Sequence, residues 1–208
     1  MNKIWLVDNN PEMVEAWSEA FKDVPAADLE VVHDDIRNFL STHPSIGFAV
    51  SPANSYGIMT GGYDLALTNY FDPISIKANG NPLQNWVQLE IANHGNYVPI
   101  GSCLPVYIPG LPQTLFVVPT MRRPSVIADP SVVFDCMIST LACWCHTKEV
   151  VEGVNDIVIP AFGALTGELD PKVVAKMMQL GVYIFGKDVR LDWQWANTVD
   201  KDLAAASL

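Results

Sequence analysis

Basic charge is scarce in this chain. Twelve Lys and Arg stand against 23 Asp and Glu, a formal net charge of −11. A nucleic-acid partner is disfavoured, because phosphate-backbone binding draws on clustered Lys and Arg. Long apolar runs are missing too: no stretch approaches the ~20 residues that span a bilayer, so no membrane partner is expected. The opening Met1-Asn2-Lys3, followed by only four apolar residues before Asp8, does not read as a secretory leader. Cysteine is sparse, with Cys103, Cys136, Cys143 and Cys145 alone, and three of these fall in one expected helix. That pattern is not a secreted disulfide framework, and the expected setting is reducing and cytoplasmic. Two familiar phosphate-binding signatures are absent, the Walker loop and the closely spaced glycine fingerprint for dinucleotides. There is no internal repeat or low-complexity linker.

What is present suits a folded α/β chain. Half of the 208 residues are apolar and 17 % are charged, enough for a substantial core and too little charge for disorder. Short apolar runs alternate with helical patterns along most of the length, which predicts one domain built on a central, largely buried sheet. Strands are expected at Lys3–Val7, Leu29–Val32, Ser45–Ser51, around Tyr107 and Phe116, at Ile157–Pro160 and at Val182–Phe185. Asn10-Pro11, Asp129-Pro130 and Asp170-Pro171 have the cap-then-proline order of helix starts. A helix from Tyr63 to Phe71 is expected to break before Pro73, and the helix after Pro171 to close at Gly181.

Ligands in α/β sheets bind beyond the carboxyl ends of the strands, and three strand ends here carry unusual loops. The first has Asp34 and Asp35. The second, "SPANSYGIMTGGYD", has Asn54, Gly61, Gly62 and Asp64. The third runs from Ala161 to Glu168, with Gly163 and Gly167. A carboxylate accepts N–H donors, an asparagine amide suits a sugar diol, and glycine lets main-chain N–H groups approach closely. Backbone donors and a helix start hold phosphate without Lys or Arg. The composite reading is a site for a nucleotide diphosphate on an acidic protein. Each part also has an ordinary reading: Asp34 and Asp35 as helix caps, Gly61-Gly62 as a turn, Asp64 as a cap.

These segments resemble a macro domain, the ADP-ribose-binding module. "PANSYGIMTGGYDLAL" is similar to that family's asparagine–polyglycine segment, "VVHDDI" to its strand ending in Asp-Ile, "LPVYIPGLPQTLFVVPTMRRP" to its two middle strands, and "IVIPAFGALTGELDP" to its second binding loop. The resemblance spans roughly Val31 to Gly181. It implies a three-layer α/β/α fold around a mixed, largely parallel sheet. It also implies Asp35 on the adenine amine with Ile36 assisting, Asn54 on the distal ribose, and Gly61, Gly62 and Tyr63 around ribose and phosphate. Gly163, Ala164, Leu165, Thr166 and Gly167 would hold the diphosphate, with Phe162 closing part of the pocket. In hydrolytic relatives, residues matching Asn54 and Asp64 position ribose and a water, so ADP-ribosyl hydrolysis is one expectation, with those two as its catalytic residues. Met59, Thr60, Leu65, Leu165 and Glu168 stand where the family commonly has glycine, and Met59, Thr60, Leu165 and Glu168 motivate the alternative of a structural or assembly protein with a degenerate pocket. ADP-ribose or an ADP-ribosylated molecule is the expected partner. No cofactor is called for, and nothing in the sequence sets an oligomeric state.

"CWCH", Cys143 to His146, invites a zinc reading. Cys143 and Cys145 point about 200° apart around a helix, and Cys136 lies about 10 Å along the axis from Cys143. One ion at about 2.3 Å from sulfur does not bridge them. No metal site is expected, and the cysteines, Met177-Met178 and Trp193-Trp195 read as packing.

Overall fold

The computed structural model describes residues 2–25, 28–149 and 155–208. Its centre is a six-stranded sheet of order β2-β1-β6-β3-β5-β4. The strands are β1 (Ile4–Asp8), β2 (Leu29–His33), β3 (Phe48–Ser51), β4 (Leu104–Tyr107), β5 (Thr114–Val117) and β6 (Ile157–Ile159). All neighbours pair parallel except β4, which lies antiparallel to β5 at one edge.

Alternation along each strand divides the core in two. Leu6, Phe48, Val50, Phe116, Ile157 and Ile159 face one side. Val7, Ala49, Leu115, Val117 and Val158 face the other. Side chains of consecutive strand residues point to opposite faces, so continuous apolar runs are what a sheet covered on both faces requires. Helices α1 (Pro11–Ala20), α5 (Ser131–Thr147) and α6 (Pro171–Phe185) cover the first face, with Trp17, Met137 and Met177 fully buried. Helices α2 (Ile36–Thr42), α3 (Gly62–Asn79) and α4 (Leu83–Asn93) cover the second, through Phe39, Leu67, Phe71 and Val87. The outer helix α7 (Trp193–Ala206) packs on α6, with Leu203 and Ala206 against the first core. Asn10 and Asp170 cap α1 and α6 as expected, accepting from amides of their first turns; at α5 the N-cap position falls on Pro130, with no side-chain cap, and Asp129 just before it accepts from the Ser131 amide.

Four local expectations are overturned. α3 does not break before Pro73 but continues to Asn79. Proline removes the donor to the carbonyl four residues back, at Asn69. Pro73 and Asn69 both lie on the exposed face, where water can satisfy that carbonyl. The far half is held by tertiary contacts: the Ser75 hydroxyl donates to the Asn81 carbonyl, Asn79 donates to the Pro109 carbonyl, and the Trp86 indole donates to Asn79. Gly181 does not close α6; it is a buried contact point. A Cβ there would stand 2.8 Å from the Cβ of Met137 on α5. Val182–Phe185 is accordingly the last turn of α6, not a strand. Finally, Trp193 does not pack: it is 85 % exposed.

Candidate functional site

The carboxyl ends of β2, β1, β6 and β3 lie side by side, because these strands are parallel neighbours in that order. Asp35, Asp8, the loop 160–170 and the loop 52–61 therefore share one edge of the sheet.

Asp35 is the N-cap of α2. Its Oδ1 accepts from the Arg37 amide at 2.9 Å, and its carboxylate also takes a two-pronged bond from the Arg37 guanidinium, 2.8 Å from Nε to Oδ1 and 2.8 Å from Nη2 to Oδ2. The side-chain bond from Arg37 leads in holding its pKa below the ordinary carboxylate value. Asp34 receives the Asn38 amide and the Asp35 N–H, so it also organises the helix start. Ile36 is buried in the second core.

Asn54 is buried and shapes its own loop. Its Nδ2 donates to the Ile58 carbonyl at 2.7 Å, and its Oδ1 accepts from the amides of Tyr56 and Ile58. Asp64 does not cap α3. It accepts from the Ser51 hydroxyl at 2.6 Å, and burial pushes its pKa up from 3.8 to about 6. Tyr63 is the unusual member. Its hydroxyl is buried and finds no hydrogen-bond partner among the described residues. Burial, then the negative fields of Asp8, Asp64 and Asp35, push its pKa well above the usual phenol value. A buried hydroxyl without a partner is disfavoured by roughly 1–3 kcal/mol, so this one marks a place where an acceptor is wanted.

Asp8 was not singled out from the sequence. It ends β1, accepts from the Asn10 amide at 2.8 Å and lies within reach of the Ala161 amide, while burial, the largest influence, raises its pKa. The signal was available: an acid at the end of a buried strand just before a helix cap obeys the same rule that selected Asp35.

The two glycine-bearing loops meet. A Cβ on Gly62 would stand 3.0 Å from Cδ2 of Leu165, and Leu165 itself is 70 % exposed. Among the described residues, the amides of Gly62, Tyr63 and Asp64 at the start of α3 donate to no protein acceptor. The same holds for the amides of Gly163, Ala164, Leu165, Thr166 and Gly167. The first group is the ordinary orphan set of a helix N-terminus, strengthened because Gly61 offers no capping side chain. The second arises because the loop is braced from outside: the Ile127 amide donates to the Gly167 carbonyl at 3.0 Å, and Leu169 donates to Gly163. Gly163 has φ +75°, and a Cβ on Gly167 would stand 2.6 Å from Cδ1 of Ile127, so neither position accommodates a side chain without strain. Phe162 is fully buried in the first core. Glu168 holds φ +55°, a conformation glycine adopts readily.

The rim beyond Asn54 carries an aromatic and basic group. Tyr56 and Tyr97 meet edge to face at 5.9 Å, and the Arg122 guanidinium stands over Tyr97. The bond from Arg122 leads in lowering the Tyr97 pKa. Among the described residues, no group of three or more His, Cys, Asp or Glu is placed to hold a metal ion, and no helix is long and apolar enough to cross a membrane. His146 is exposed and contacts the Ala142 carbonyl, while Cys136 is buried.

Residues 21–114 match the family model described as a Macro-like domain. Together with the mixed sheet sandwiched between two helical layers, the match gives the chain a macro-like α/β/α fold.

Proposed function

We propose that this edge of the sheet binds ADP-ribose or a closely related nucleotide diphosphate. The observation that carries the reading is the meeting of two stretches of uncommitted main-chain amides, at the start of α3 and in the loop 163–167. A diphosphate supplies acceptors for those donors, which removes the difficulty of holding an anion on a chain of net charge −11. The acids fit the rest of such a ligand. Asp35 offers acceptors for an amine, with the Ile36 amide beside it, and the Tyr63 hydroxyl supplies a donor to an oxygen. Asn54 contributes by fixing the loop that faces the ribose. Asp64 is the group able to exchange a proton near neutrality, and hydrolysis of an ADP-ribosyl bond would place it as general base toward a water.

A second reading has its own support. Leu165 lies against Gly62, where the phosphates would pass, and Arg37 already occupies Asp35. These contacts favour a macro-like fold whose pocket no longer takes the ligand. Calorimetric titration of ADP-ribose into the wild type and Leu165→Gly separates the two. The binding reading expects heat from both, with affinity in the variant improved about tenfold, ~1.4 kcal/mol. Heat from the variant alone supports the degenerate pocket. Silence from both at millimolar ligand overturns the binding site.

A further inference from the structure

The loop after β5 carries no group of the proposed ligand site. It reads "MRRPSVI", Met121 to Ile127, and both of its ends are tied down. Met121 forms an isolated parallel bridge with Asn54, and its carbonyl accepts from the Ser55 amide at 3.1 Å. The Ile127 amide donates to the Gly167 carbonyl at 3.0 Å. Residues 122–126 arch between these anchors, and all of them are exposed. The arch thus joins the loop of Asn54 to the loop 163–167.

Its composition stands apart from the rest of the chain. Arg122 and Arg123 are the only basic residues adjacent in sequence, on a chain of net charge −11. Among the described residues neither pairs with a carboxylate, and Arg122 stands over the Tyr97 ring, 5.9 Å from its centroid. The Ser125 hydroxyl has no protein partner among the described residues, and the Ser125 amide reaches the Met121 sulfur at 3.4 Å. Val126 is 62 % exposed. A solvated turn has no need of two adjacent guanidinium groups or of a valine in water.

We propose that Ser125 is a phosphorylation site for a protein kinase of the class that selects two arginines just upstream of its target serine. Such a kinase seats guanidinium groups on carboxylates of its own cleft and takes an apolar side chain just beyond the serine. Arg122, Arg123 and Val126 supply those three handles, and the exposed arch presents them without unfolding. In the transfer, the Ser125 Oγ attacks the γ-phosphorus of ATP. The bond from that phosphorus to ADP breaks, the bond to serine forms, the serine proton passes to the base of the kinase, and ADP leaves.

The consequence for ligand rests on the diphosphate site proposed above. Ser125 is two residues from Ile127, at most about 7 Å of chain, and Ile127 holds the carbonyl of Gly167. Phosphorylation brings about two negative charges to that neighbourhood. Repulsion between them and a bound diphosphate should weaken binding about fivefold at low salt, less as salt is added.

The test incubates the full chain with MgATP and the catalytic subunit of cyclic-AMP-dependent kinase, which reads this arginine pattern. Intact mass and peptide mass spectrometry should find one phosphoryl group, on Ser125. It should be absent from Ser125→Ala, and transfer should slow about tenfold in Arg123→Gln, which loses a charge-assisted contact to the kinase. A wild-type chain that takes no phosphoryl group, or takes it only on another residue, overturns the proposal; both outcomes are read without a variant. Calorimetry then titrates ADP-ribose into the unmodified and the phosphorylated chain. Equal affinity overturns the effect on the ligand. Silence from the unmodified chain overturns the diphosphate site alone, because transfer to Ser125 is read without ADP-ribose.

Discussion

Replacing Asp64 with asparagine should make the protein more stable at neutral pH. Asp64 is almost wholly buried, accepts one hydrogen bond from Ser51, and titrates at about 6 against an ordinary 3.8. The folded chain therefore binds the proton more tightly than the unfolded chain does. Between about pH 4 and 6 the native state holds the extra proton, so stability falls as pH rises through that window and stays low above it. A rise from 3.8 to about 6 is worth ~3 kcal/mol. Asparagine keeps an acceptor for Ser51 and has no charge to desolvate. Allowing ~1 kcal/mol for a weaker bond from Ser51, Asp64→Asn should gain ~2 kcal/mol at about pH 7.5. That corresponds to a melting temperature higher by roughly 4–8 °C for a chain of this size. At about pH 4.5 most of the gain should vanish, because wild-type Asp64 is then protonated in the fold. Thermal unfolding of both proteins at the two pH values is the assay. An Asp64→Asn variant that melts at or below the wild type near pH 7.5, or whose advantage is the same at both pH values, refutes the reasoning. The same substitution should abolish any ADP-ribosyl hydrolysis that uses Asp64 as base.

Two further outcomes follow from backbone and packing. Glu168→Gly should stabilise the fold by about 1 kcal/mol, because a left-handed conformation strains any residue with a Cβ; chemical denaturation reads this as a higher midpoint with an unchanged slope. Gly181→Ala should destabilise by roughly 1–3 kcal/mol, because the new methyl meets Met137 at 2.8 Å between two packed helices, and the same denaturation series measures it.

The sheet was legible because its signals are local and redundant. "IWLV", "FAVS" and "IVI" are apolar on both faces, and each is followed by polar or glycine-bearing residues. The places where sequence reasoning failed are those where a distant contact decides. Pro73 says "stop" to any local rule, yet Asn79 bonded to Pro109 and Trp86 carries α3 past it. Gly181 says "end of helix", but the reason for glycine is Met137, far away in sequence. At the site, the residue types were readable and their engagements were not. Nothing in "VVHDDIR" shows that Arg37 turns back to clasp Asp35, and nothing in "PANSYGI" shows that Asn54 has both amide atoms occupied by its own loop. Asp8 could have been found by the strand-end rule. The solitary hydroxyl of Tyr63 could not, since its isolation depends on what every neighbour does.

The strand order has a bearing on how the chain is made. β6 is last in synthesis but central in space, wedged between β1 and β3. A ribosome-bound chain that stops short of Ile157 owns β2-β1 and β3-β5-β4 as two detached ribbons, each with a raw hydrogen-bonding edge of the kind that invites wrong partners. Residues 21–114 include β2 and β3 but neither of the strands that separate them. A fragment cut to that span would be a set of strands with nothing to join them, and the edge where the loops gather comes into being only when the final strand slides home.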